Sequence, residues 1–84
     1  MTSPDLEQSV VGMQYVVGAN VRQFRTTLGL SVGELAARIG SDERSVTAIE
    51  NGQTDIDIDT LAALADALRT GAHVLVNPQA IARQ

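Results

Sequence analysis

Apolar residues at Leu6, Val10, Met13, Val17, Val21, Phe24 and Leu28 follow one another at steps of three or four. That is the spacing of a single helical face. The stripe predicts one long helix, or two nearly collinear helices meeting near Gly12, ending at Gly29. Ser3 and Pro4 supply a cap and a first helical residue, and Asp5 and Glu7 complement the positive helix end. Gly12 and Gly18 each weaken the segment by about 1 kcal/mol relative to alanine.

A second start signal follows in Leu30-Ser31-Val32-Gly33-Glu34-Leu35. Ser31 and Glu34 have the spacing of a capping box, and Leu30 and Leu35 that of a hydrophobic staple. The pattern predicts a helix over 32–39 with Leu35, Ala36 and Ile39 inward and a stop at Gly40. Asp42 then caps a third helix, Glu43–Asn51, with Val46 and Ile49 inward and Gly52 at its end. After the loop Gln53–Asp57, Asp57 caps a fourth helix that buries Leu61, Leu64, Ala65 and Leu68 and closes at Thr70-Gly71. Ile56 and Leu61 form a further staple pair. Two helices joined tightly through Gly40 make a helix-turn-helix arrangement. The second of them is polar outside and apolar inside, so it can enter a major groove while its back stays on the core.

The tail differs in character. His73, Val74, Leu75 and Val76 form a short β-prone run, followed by a last short helix over 78–83 that Asn77 caps. A lone four-residue strand needs a mate, and no other segment reads as one. Two outcomes are open: the run pairs with its own copy across a two-fold axis, giving an isologous dimer, or it lies as an extended tail on its own core. The N-terminal stripe of Leu6, Val10 and Met13 likewise either packs on the C-terminal helix or covers a neighbouring protomer.

Composition narrows the function. With 84 residues the chain suits one domain, and with Tyr15 and Phe24 as the aromatics its core is aliphatic. There is no cysteine and hence no disulfide frame. No signal-peptide pattern or spanning apolar run is present, so the expectation is a cytoplasmic protein without a membrane partner. Asp55, Asp57, Asp59 and Asp66 are spaced like a calcium loop, but Thr60 stands where the turn glycine belongs. His73 is the sole histidine and has no catalytic or zinc-binding partner near it in sequence. No metal, cofactor or enzyme activity is expected. The net charge of −4, with all six cations arginine, opposes long-range attraction to nucleic acid.

Residues 16–68 resemble the lambda-repressor-like helix-turn-helix family, the Cro and XRE type. The resemblance is carried by Arg25, LGLS at 28–31, ELA at 34–36, IG at 39–40, IENG at 49–52 and LAALADAL at 61–68. It implies an all-α, five-helix domain, here with the short C-terminal strand used for dimer pairing. The organisation expected is an N-terminal helical extension (1–15), a helix-turn-helix core (16–69) and a C-terminal strand and short helix for dimerisation (70–84). The resemblance makes Glu43–Asn51 the recognition helix. Glu43, Arg44 and Ala48 are then the base-contacting positions, and Ser45, Thr47, Asn51 and Arg38 contact the backbone. Arg25 and Glu50 form a structural ion pair. A guanidinium such as that of Arg44 can bond both major-groove acceptors of guanine, worth about 1–3 kcal/mol of discrimination.

The chain departs from the family at two places. Val32 stands where a phosphate-contacting glutamine is usual, and the loop after IENG is acidic rather than basic. The positive footprint shrinks to Arg22, Arg25, Arg38 and Arg44. Two functions remain open. One is a dimeric, sequence-specific DNA-binding regulator, a repressor that reads a pseudo-palindromic operator in double-stranded DNA. The other is a protein-interaction module, antitoxin-like or binding another regulator, that has lost strong DNA affinity. The first requires a positive surface around the N-terminus of the third helix, and the second an acidic or apolar one.

Overall fold

The computed structural model describes residues 4–78, with side chains from residue 12 onward. Five helices follow in order: α1 (Pro4–Thr27), α2 (Val32–Arg38), α3 (Glu43–Glu50), α4 (Ile58–Ala67) and α5 (Ala72–Leu75). The helical stripe therefore folds as one helix, unbroken at Gly12. Among its described side chains, Val17 and Val21 are buried and Phe24 packs beside them, while Met13 and Leu28 are exposed.

Gly18 explains why α1 can lie so close to α3. A Cβ at this position would stand 2.3 Å from the Ile49 carbonyl oxygen and 2.8 Å from that of Glu50. The residue that weakens α1 locally is thus what lets the helix backbone meet the C-terminal end of α3. Packing outweighs propensity here.

Local signals set the remaining helix ends. Ser31 Oγ accepts from the Glu34 N–H at 3.0 Å, and Glu34 accepts from the Ser31 N–H at 2.9 Å, completing the capping box. Asp42 and Asp57 cap α3 and α4 by accepting from the N–H groups of Ser45 and Thr60. Helix α4 closes differently from α1, α2 and α3. Those three are followed by glycine in the left-handed region, whereas after α4 the position falls to Arg69, at φ 58°.

The tail requires a correction. His73, Val74 and Leu75 lie in α5 and Val76 is its C-cap, so the expected strand, and with it a dimer ribbon through His73–Val76, is not formed. A single helical turn satisfies its own backbone, as the bonds from Leu75 N to Gly71 O and Val76 N to Ala72 O show, where a lone strand would leave its groups open. The turn is held by burial of Leu75 among the core residues and by Asn20, which is itself 1 % exposed. The Asn20 amide donates to the carbonyls of Leu75 at 2.8 Å and Asn77 at 3.1 Å, with a longer approach to Val74. The β preference of Val74 and Val76 is overridden by these contacts. The expected helix over 78–83 and the cap at Ser3 lie outside the described residues, apart from Pro78.

Candidate nucleic-acid interface

Helix α3 is anchored from behind. Val46 and Ile49 are buried in the core shared by α1, α2 and α4. Beside them Glu50 is buried too, its carboxylate held by two arginines of α1. Arg25 bonds it in a fork, Nε to Oε2 at 2.6 Å and Nη2 to Oε1 at 3.1 Å, and uses Nη1 to reach the Leu30 carbonyl at 2.8 Å. The bonded carboxylate holds the Arg25 guanidinium pKa above its ordinary value, against the opposing cost of burial. Arg22 makes a longer contact to Oε1, at 3.4 Å, and donates from Nη2 to Asn51 Oδ1 at 3.0 Å.

The opposite side of α3 is turned toward solvent. Glu43, Arg44, Ser45 and Thr47 are exposed, Ala48 is half-buried, and Asn51, the C-cap, is exposed. Glu43 leans over the first turn of α2: a Cβ on Gly33 would stand 3.5 Å from its carboxyl carbon. Arg44, Ser45 and Ala48 form one wall of an open groove of about 580 Å³, whose far wall includes Asp55, Asp59, Thr60 and Ala63. The Gln14 amide of α1 bonds the Asp55 carboxylate and so fixes this loop against the body of the domain.

Charge along α3 is therefore uneven. At its N-terminal end one guanidinium, that of Arg44, stands among the carboxylates of Asp42, Glu43, Asp55 and Asp59. The positive surface that duplex binding would place there is absent among the described residues. The surplus cation is at the other end, where Arg22 and Arg25 flank the single carboxylate of Glu50. Arg38 does not line the groove itself but precedes Ile39 and Gly40, which do. Its Nη1 approaches the Ala67 carbonyl at 3.4 Å, about one helical turn along α4 from Ala63, which lines the groove.

Sequence reasoning counted Arg22 in the basic footprint but gave it no role. The signal was available: it precedes Arg25 by three residues, and such pairs share a helical face. Asn20 was missed altogether: a polar residue beside the inward Val21 carries no local sign of burial, and its partners lie more than fifty positions on.

A sequence model of the helix-turn-helix family matches residues 21–75. The chain belongs to the helix-turn-helix family. It is of the Cro and XRE type, and its relatives carry the names of transcription factors. One, a hypothetical transcription factor of Neisseria meningitidis, is 33 % identical over 66 residues, 79 % of this chain and 62 % of the relative. The chain thus spans less than two thirds of that protein. An uncharacterized HTH-type transcriptional regulator of Sinorhizobium fredii is also 33 % identical over 66 residues, 79 % of this chain and 86 % of the relative. Among solved structures, the restriction-modification controller protein of Aeromonas hydrophila superposes with a TM-score of 0.71 at 32 % identity, covering 74 % of this chain and 94 % of that one. No described helix is long and apolar enough to cross a membrane.

Proposed function

We propose that this chain is a transcription regulator that binds duplex DNA as a symmetric dimer, lays α3 in the major groove, and represses by occupying a promoter. The observation that carries this reading is the two-sidedness of α3. Its back is locked by Val46, Ile49 and the Arg25–Glu50 fork, and its front offers Arg44, Ser45 and Thr47 to solvent. A helix held this way can be pushed into a groove without rearranging the domain.

The roles follow from the side-chain chemistry. Arg44 reads guanine, Glu43 accepts from a cytosine amino group, and Ala48 contacts apolar edges. Ser45, Thr47 and Asn51 donate to phosphate oxygens. Dimerisation places two copies of α3 about 34 Å apart, facing successive turns of a pseudo-palindromic site. Because the tail is helical, that dimer uses helix surfaces rather than a strand ribbon.

Selection of bound duplexes from a random pool at low salt tests this, followed by the same selection with Arg44→Ala. An enriched, two-fold related motif that loses a defined base preference in the variant supports the assignment. No enriched motif contradicts it. The acidic surface around the N-terminus of α3, including Asp55 and Asp59, is the mark expected of the second reading, a basic protein segment seated in the groove, and that reading takes over if no duplex is enriched.

A further inference from the structure

We propose that Arg22 is a phosphate-binding residue that also orients Asn51 for the same contact. The proposal rests on the duplex-binding reading above and adds a residue to it. Three observations converge on Arg22.

The first is charge. Glu50 is neutralised by Arg25 through two bonds of 2.6 and 3.1 Å, while Arg22 reaches it at 3.4 Å. Two guanidiniums thus share one buried carboxylate, and Arg22 carries the surplus. The second is access. The Arg22 side chain is 55 % exposed, against 14 % for Arg25. Its bonds to Glu50 and Asn51 engage two of the five N–H donors that a guanidinium carries.

The third is orientation. Arginine only donates, so the Asn51 atom facing Nη2 at 3.0 Å is the amide oxygen. With the oxygen turned toward Arg22, the NH2 group of the exposed Asn51 takes no part in that bond. A guanidinium and an amide NH2 then lie side by side at the C-terminal end of α3, both donors, one charged. That pairing suits a tetrahedral oxyanion such as a backbone phosphate. It also supplies the positive contact that the acidic N-terminal end of α3 does not.

The test is the salt dependence of binding to a random-sequence duplex, measured for the wild type, Arg22→Gln and Arg22→Lys, with circular dichroism confirming that each folds. Losing one phosphate contact flattens the slope of log affinity against log salt by about 0.9 per protomer. For the dimer, which loses two contacts, the ratio of wild-type to Arg22→Gln affinity should therefore shrink about 12-fold between about 50 and 200 mM salt. Arg22→Lys should keep the wild-type slope, because the charge remains, yet bind more weakly, because an ammonium lacks the fork that holds Asn51. Asn51→Ala should cost little further in the Arg22→Gln background. Wild-type binding with an unchanged slope in Arg22→Gln overturns this inference and leaves the duplex-binding reading standing. A wild type that binds no duplex at any salt overturns both.

Discussion

The side chain of Asn20, buried in the middle of α1, donates to the main-chain carbonyl of Leu75 at 2.8 Å. Together with the burial of Leu75, this contact ties the first helix to the last and makes the tail part of the core. Asn20→Leu should therefore destabilise the domain by about 1–3 kcal/mol, the cost of leaving buried carbonyls without a donor. Urea unfolding followed by circular dichroism checks it. A midpoint equal to the wild type would mean that the Asn20 bonds contribute nothing to the fold.

Two glycines of α1 should respond oppositely to alanine. At Gly12 a Cβ meets nothing within 4 Å, so Gly12→Ala should stabilise by about 0.5–1 kcal/mol through helix propensity. At Gly18 the added carbon would collide with two carbonyl oxygens of α3. Overpacking of that kind costs about 1–3 kcal/mol, so Gly18→Ala should lower the melting temperature despite the same propensity gain. Thermal melts of the two variants side by side test the sign.

What the sequence made legible divides along this line. Caps and stops are local: Ser31 with Glu34, Asp42, Asp57 and the glycines after α1, α2 and α3 act within a few residues, and each could be read where it stands. The outward side of α3 was legible too, because Val46 and Ile49 define its back by helical period. The tail was not, since its conformation depends on Asn20, more than fifty positions away in the chain. The acid wall facing Arg44 was equally hidden. The loop's charge could be counted, but its placement beside α3 depends on the fold, including the bond from Gln14 to Asp55.

The end of α4 gives a separate test. Arg69 holds a left-handed backbone, φ 58°, at the position where α1, α2 and α3 are followed by glycine. That conformation costs an L residue about 1–2 kcal/mol, part of which glycine returns through greater freedom in the unfolded chain. Arg69→Gly should raise stability by about 0.5–1 kcal/mol, measured by urea unfolding. A loss of stability would show that the arginine side chain outweighs its backbone.

Acid should loosen the helix starts. Hydrogen bonds hold Glu34, Asp42 and Asp57 below their ordinary pKa values, from the Ser31 and Ser45 backbones in the first two cases and from Thr60 in the third. Groups depressed in the folded state contribute stability that is complete above their unfolded pKa and is lost as pH falls through the folded one. The melting temperature should stay level down to about pH 5 and decline below about pH 4. A flat profile to about pH 2 would remove these caps from the account.

The central claim is that the outer side of α3 enters a groove in duplex DNA, and amide chemical-shift mapping on titration with a duplex selected from a random pool tests it most directly. The account predicts the largest shifts at Arg44, Ser45, Thr47, Ala48 and Asn51, with little change around Arg69 just past the end of α4. Shifts confined to that end, or none on α3, would contradict it.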